Sequence, residues 1–171
     1  MLVTQGRLMA DTNRTEVPTA WLTRAGRHGE REDFVLEHGL AGTGWADLPD
    51  LSGISSRGEM KDMVRRLLPG RSKMSVANYS GQLWALRAHV SVGDLVVLPR
   101  KKTRQIAIGV VTREYWYRDD PDPGRRHVAL VDWKRTDVPW EAAHEDLRNS
   151  LSSLRTFARS SVTTGHNASA I

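Results

Sequence analysis

The 171-residue chain is 39% hydrophobic, which suits one domain of about 130–150 residues with loose ends, and the absence of cysteine excludes disulfides and cysteine-bound metals. No apolar run approaches the ~20 residues of a membrane-spanning helix and no signal-peptide core opens the chain, so a cytoplasmic protein is expected. The net charge of +5 and the pI near 10.0 fit a polyanionic partner without requiring one.

The N-terminal part of the chain predicts an arm followed by two short strands. Residues 1–18 are polar and without period, which predicts a disordered N-terminal arm. Thr19–Arg24 predicts the first strand. The following charge-rich stretch predicts a loop with a short extended piece at Phe34–Leu36, and Ala41–Trp45 predicts the second strand.

Two helices are predicted next. Ser56 and Glu59 are spaced as a capping box, in which the serine caps the first turn and the glutamate reaches back. Apolar residues at helical spacing follow, and Pro69-Gly70 ends this helix. The second helix is predicted over Ser72–His89, with an apolar stripe that is expected to pack on the barrel and consists of Val76, Tyr79, Leu83 and Leu86.

A hairpin is the central prediction. Leu95–Leu98 and Ile106–Val111 are short apolar runs rich in branched side chains, separated by a polar turn of about six residues. We therefore expect two adjacent antiparallel strands. Four cations lie in or beside the turn, and three consecutive aromatic residues, Tyr115-Trp116-Tyr117, close the second strand.

The remaining sequence predicts one more strand and a short helix. Arg126–Lys134 alternates as a strand, and Asp137 begins a helix predicted to extend through Leu147, with a last element at Leu151–Phe157. The order β-β-α-α-β-β-β-α predicts an α+β fold: a small mixed or antiparallel barrel of five to six strands with two to three flanking helices. The domain is predicted over residues 19–160, with a C-terminal tail or linker at residues 161–171.

Several segments together resemble a known family. The segments AWLTRAGRHGE, GTGW, ANYSGQLW, VGDLVVLP, IAIGVV, EYWY and HVALVDW occur in an order similar to the N-terminal module of Mrr-like restriction endonucleases. That module resembles the PUA superfamily, which includes the EVE, YTH and SRA domains. The resemblance spans Thr19 to about Ala158 and departs from the usual pattern at Trp116 and Trp140. It implies a PUA-like barrel that flips a modified base into an aromatic cage and targets a nuclease domain.

Candidate cage residues come from the aromatic composition. Six Trp against two Phe favours sites with one apolar face and one polar edge. A flipped base loses stacking worth a few kcal/mol, which aromatic faces can replace. Trp45, Tyr115 and Tyr117 are the first candidates, the two tyrosines sharing one face of a strand. Trp21 completes the candidate set, although a place in the core is favoured for it. The alternative for Trp45 and the two tyrosines is that one or two of them fill the barrel interior.

Polar and charged candidates complete the predicted site. Asn78 and Gln82 stand four residues apart on one helix face and can donate to and accept from a base edge, although bracing a loop is an equally good role. Cations would hold phosphates, adding affinity and salt dependence without sequence information, unless they form an ordinary solvated turn. These cations are Arg24, Arg27, Arg100, Lys101, Lys102 and Arg104.

Catalysis is not expected. Glu59-Met60-Lys61 and Asp132-Trp133-Lys134 imitate the acid-x-Lys ending of a nuclease site, but the first lies within the capping box of a helix, and neither follows an obvious metal-binding Asp at the end of a paired strand. The histidines lack zinc-site spacing, so no metal or cofactor is predicted. The sequence therefore predicts a non-catalytic module that binds DNA with a methylated or hydroxymethylated base, and that serves a restriction or defence nuclease. The alternative is an RNA-binding PUA-type domain.

Overall fold

The computed structural model describes residues 18–42, 44–143 and 157–159. These residues form an α+β fold, with a mixed sheet and three α-helices. The predicted arm up to its last residue, all of the predicted tail, and the predicted element at 151–157 up to its last residue lie outside the described residues. The strands are β1 (Ala20–Thr23), β2 (Leu40–Ala41), β3 (Leu95–Arg100), β4 (Gln105–Tyr117), β5 (His127–Pro139) and β6 (Phe157–Arg159), and the helices are α1 (Glu32–Glu37), α2 (Arg57–Leu67) and α3 (Lys73–Trp84).

The predicted hairpin is confirmed. Strands β3 and β4 pair antiparallel, with Leu95 opposite Val110 and Pro99 opposite Ile106. The sheet order is β2-β5-β4-β3-β1-β6, in which β1 and β3 are parallel and the other pairs antiparallel. Among the described strands, β2 and β6 are the two edges of this order. The sheet is thus mixed, as predicted.

Strands β4 and β5 are the longest of the described strands. Each runs for 13 residues, and their register shifts at several points, which bends the pair. At Gly109 the strands approach closely: a Cβ there would lie 2.8 Å from the carbonyl oxygen of Asp132 and 2.9 Å from the ring of Trp133. Only glycine fits this contact without displacing β5.

Two apolar layers pack on the sheet and between the helices. One contains Trp21, Leu86, Val96 and Val131, and it joins the sheet to the end of α3. The other lies between α2, α3 and the loop before them. Its buried members are Trp45, Leu48, Leu51, Met60, Met63, Val64, Val76 and Leu83, and we call it the helical cluster.

Helices α2 and α3 follow the two predicted helices closely. The side chain of Ser56 caps α2 by accepting from Glu59 N, but the Glu59 carboxylate reaches back to Ser55 N rather than to Ser56. Helix α3 starts directly after Ser72, the first residue of the predicted helix, whose side chain caps it by accepting from Ser75 N, and a π-helical turn, Ala85–His89, carries it to the predicted end.

The prediction for residues 34–36 was wrong. These residues lie in α1, not in an extended piece, because Val35 is buried in the core and the helix ends where His38 N donates to Phe34 O. Acidic Glu32 and Asp33 in the first turn favour the helix through its dipole. The packing of α1 on the core depends on residues that are distant in sequence, so the strand propensity of residues 34–36 does not predict it.

Two further boundaries were also wrong. The second strand covers only Leu40–Ala41, because the chain leaves the sheet at Gly42, which has φ of 96°. The expected helix from Asp137 is instead the end of β5, since Val138 pairs with Ile106 on the long strand β4. A short 3₁₀ turn, Trp140–Ala142, follows, and the predicted continuation to Leu147 lies outside the described residues.

Candidate nucleic-acid interface

Trp45, the first cage candidate, lies on the helical cluster. Gly44 has φ of 110° and donates its N–H to the carbonyl of Gly124 at 2.7 Å, which turns the chain toward α2 and α3. The Trp45 side chain is then 8% exposed. Most of its ring contributes to the core, and only an edge remains available to a ligand without movement of its neighbours.

The indole nitrogen of Trp45 has an unusual environment. It is buried, and among the described residues no hydrogen-bond acceptor reaches it. A buried donor left unpaired typically costs about 1–3 kcal/mol, so such groups are uncommon in folded proteins. An acceptor atom supplied from outside would therefore gain a partner that is already desolvated.

Tyr79 joins Trp45 at this position. The two rings meet edge to face with centroids 5.7 Å apart, and the guanidinium of Arg71 lies 5.0 Å above the Tyr79 ring. Tyr79 is only half-buried. Its place in the predicted apolar stripe of α3 favoured a role in the core, although a tyrosine in an otherwise aliphatic stripe is a signal that one edge meets polar surroundings.

Tyr115 packs against the same cluster, and its hydroxyl belongs to a chain of hydrogen bonds with His127 and the Leu48 carbonyl, which we call the relay. Its hydroxyl accepts from Leu51 N at 3.1 Å and lies 3.0 Å from Nδ1 of His127, which is 1% exposed. The other ring nitrogen of His127 lies 3.1 Å from the carbonyl of Leu48. Because a carbonyl only accepts, His127 Nε2 carries the hydrogen and Tyr115 donates to Nδ1.

Burial favours the neutral form of both side chains of the relay. Burial lowers the pKa of His127, despite the opposing hydrogen bond to the Leu48 carbonyl. Burial also raises the pKa of Tyr115 well above its ordinary value. The relay therefore holds the loop at residues 48–51 against β4 and β5. Tyr115 contributes to this anchoring as well as offering part of an aromatic wall.

The last two cage candidates, Tyr117 and Trp21, differ in exposure. The Tyr117 ring is half-buried and meets His127 at a centroid distance of 5.1 Å. Trp21 is 4% exposed and donates its indole N–H to Asp94 at 2.8 Å. Trp21 packs with Tyr115 in the layer behind the sheet, so its alternative role, in the core, describes it better.

The base-edge candidates lie on α3, which carries Tyr79. Asn78 is exposed, whereas Gln82, one turn later, is half-buried and engaged in contacts within the protein. Of the two amides, that of Asn78 is therefore the more exposed to solvent, and Asn78 directly precedes Tyr79 in α3.

The hairpin turn presents less free charge than its sequence predicts. Lys102 forms an ion pair with Asp33 at 2.7 Å, and Lys101 Nζ donates to the carbonyl of Arg27 at 2.7 Å. This pairing lowers the pKa of Asp33 and raises that of Lys102. The carboxylate of Glu32 is 1% exposed and accepts from the backbone N–H groups of Lys101 and Lys102.

The other cations near the turn differ in exposure. Arg100 donates to the carbonyl of Thr136 at 2.8 Å. Arg104 and Arg27 are exposed, and Arg104 has φ of 57° in the turn. Burial lowers the pKa of half-buried Arg24.

A second aromatic group lies elsewhere, on α1 and the end of β4. Arg113 lies 4.6 Å from the ring centroid of Trp116, and Arg118 lies 5.8 Å from it. Arg118 and Arg125 also lie over Phe34, at 5.6 and 3.9 Å. Because guanidinium groups already lie over these rings, the group stabilises the packing of α1 on β4 rather than offering open faces for stacking.

The two acid-x-Lys segments are engaged in local contacts. Asp132 and Lys134 form an exposed ion pair, and Glu59 caps α2. Within residues 18–42, 44–143 and 157–159, no three His, Asp or Glu side chains gather as a metal site would require. In the same part of the chain, no helix has the length and apolar character needed to cross a bilayer.

The sequence matches a family model over residues 21–159, from β1 to β6. The family is described as Domain of unknown function (DUF8426). The chain belongs to this family. The DUF8426 match therefore includes both the helical cluster with Trp45 and Tyr79 and the long strands with Tyr115 and His127. No curated protein matches the chain.

Proposed function

We propose that this protein is a non-catalytic DNA-binding module that accommodates a flipped, modified base beside Trp45, and that directs a restriction or defence nuclease to that DNA. A PUA-like barrel, formed by closure of the mixed sheet, is part of the proposal. The observation that carries it is the buried indole N–H of Trp45, which has no acceptor in the part of the chain that the structure describes, beside the half-buried ring of Tyr79.

The arrangement has the parts that base recognition needs. Trp45, Tyr79 and Tyr115 supply aromatic walls, and stacking on such walls is worth about 1–3 kcal/mol per base. The indole N–H supplies a donor for a ring nitrogen or carbonyl on the base edge, and Asn78 supplies an exposed amide nearby on α3. Entry of a base requires the Tyr79 ring to move aside, and its partial burial leaves it the room to do so.

The decisive experiment compares Trp45→Phe with the parent protein. Phenylalanine keeps an aromatic wall but removes the donor, so the preference for a modified duplex over a plain one should fall about 5- to 100-fold while plain-duplex binding is retained. The measurement is fluorescence anisotropy on matched duplexes carrying cytosine, 5-methylcytosine, 5-hydroxymethylcytosine, adenine or N6-methyladenine. Trp84→Phe, in the same cluster, is the matched control.

Two outcomes contradict the proposal. A folded Trp45→Phe protein with the full preference of the parent would place Trp45 in the core alone. A parent that distinguishes none of the modified duplexes, but binds a matched RNA more tightly than DNA, would favour an RNA-binding domain instead.

A further inference from the structure

The turn between α2 and α3 carries a concentration of positive charge that the proposed base site does not use. Residues 65–74, which we call the helix tip, contain four cations and no acidic residue. Arg65 pairs with Asp62 at 2.8 Å. Arg66, Arg71 and Lys73 are exposed, and among the described residues none of these three has a carboxylate within ion-pair distance.

The helix tip is continuous with the proposed base site. Arg71 lies over Tyr79, which meets Trp45, and half-buried Leu68 packs on the helical cluster. A nucleotide beside Trp45 would therefore have its neighbouring phosphates close to the cations of the helix tip. Charge and aromatic surface meet here through side-chain contacts, not merely through nearness in sequence.

We propose that the helix tip is the surface that binds the DNA phosphate backbone, with Arg66 and Lys73 contacting phosphates on either side of Arg71. The position of the bound strand rests on the proposed function, whereas the phosphate contacts apply to plain DNA as well. Arginine suits this role, because its planar guanidinium can hold two phosphate oxygens at once.

The exposed apolar side chains of the tip suit DNA better than a lipid surface. Met74 is 76% exposed and Leu67 39% exposed, so both can contact sugars beside the phosphates. A membrane-binding helix instead offers a long apolar face, and the apolar face of α2, with Met60, Met63 and Val64, is buried in the protein.

The test compares two double variants of equal charge change. Arg66→Gln with Lys73→Gln removes two cations from the helix tip, and Lys101→Gln with Arg104→Gln removes two from the hairpin turn. Binding to a plain duplex is measured by anisotropy at several salt concentrations, with circular dichroism as the check on folding. The logarithm of the affinity falls linearly with the logarithm of the salt concentration, and each lost phosphate contact makes this slope less steep by about 1. The slope of the tip variant should be less steep than the parent's by about 2, and that of the hairpin variant should change by less than half as much.

The results separate the two proposals. A tip variant with the parent's slope overturns the phosphate surface, even if the parent still prefers a modified base. A reduced slope in the tip variant supports the surface, even if no modified base is preferred and the proposed function fails. Cosedimentation with phosphatidylserine vesicles that depends on Arg66 and Lys73, together with unchanged DNA binding, would overturn the surface in favour of a membrane.

Discussion

The hairpin turn and the helix tip look alike in sequence and differ in the folded protein. Each contains four cations: residues 100–104 in the hairpin, and residues 65–74 in the tip. In the hairpin, α1 brings Glu32 and Asp33 against the turn, so its lysines and their backbone N–H groups are engaged within the protein. At the tip, only Arg65 has an acidic partner among the described residues. The number of cations in a segment is therefore a poor measure of the charge available to a ligand.

The largest effect is expected at Glu32, which holds the hairpin turn in its place. Glu32→Ala removes the acceptor of two backbone N–H groups in a buried position, and should lower the free energy of unfolding by about 2–3 kcal/mol. Urea unfolding measures this loss, and amide exchange at Lys101 and Lys102 should become faster. Glu32→Gln, which keeps one acceptor oxygen, should lose less. A loss below about 1 kcal/mol in the alanine variant would show that the turn does not depend on α1.

The next effect concerns the relay that fixes the loop beside the helical cluster. Because the pKa of His127 in the folded protein lies below its unfolded value, the unfolded chain binds more protons as the pH falls. Stability should therefore be greatest above about pH 6.5 and should decline below it, until the pH passes the folded pKa. The expected measurement is the melting temperature from pH 8 to pH 5.

His127→Gln tests this explanation. It should lower stability by about 1–3 kcal/mol at neutral pH and flatten the decline in acid, because the titrating group is gone. Exposed His89→Gln is the control and should keep the parent's pH profile. An unchanged acid profile in the His127 variant would assign the decline to other groups.

The smallest effect tests the comparison of the two basic regions directly. Asp33→Asn removes the partner of Lys102 on the surface, so it should change the melting temperature little. It should release one cation in the hairpin turn, and the salt dependence of plain-DNA binding should steepen by up to about 1 if DNA reaches that turn. An unchanged slope would confine phosphate binding to the helix tip. Asp62→Asn, which frees Arg65 at the tip, is the matched variant and should steepen the slope.

Prediction from sequence succeeded where the signal is local. The β3–β4 hairpin was predicted because its apolar runs and polar turn lie within about 20 residues of each other, and the Ser56 cap because a cap acts within one turn. It failed at α1 and at the end of β5. At α1 the burial of Val35 decides the conformation, and at the end of β5 the pairing of Val138 with Ile106 decides it. Both contacts join residues that are distant in sequence.

The candidate site divides in the same way. Sequence reasoning selected Trp45 and Tyr115 from residue type, and the structure places both on the helical cluster. It missed Tyr79 and His127, since a residue in a helical stripe or on an alternating strand reveals its face but not its neighbour. The Tyr115–His127 contact and the burial of the Trp45 indole arise between segments that no local pattern joins.

By itself, the sequence determined the α+β class, the central hairpin, the cap of α2, the start of α3, and the supply of aromatic and cationic side chains. These follow from periodicity, turn chemistry and composition, which act over a few residues. Only the tertiary structure decided which cations are engaged and which are exposed, and which aromatic ring meets which. The physical reason is that ion pairing and burial depend on distances between elements, and folding brings α1 to the hairpin turn but brings no comparable acidic segment among the described residues to the helix tip.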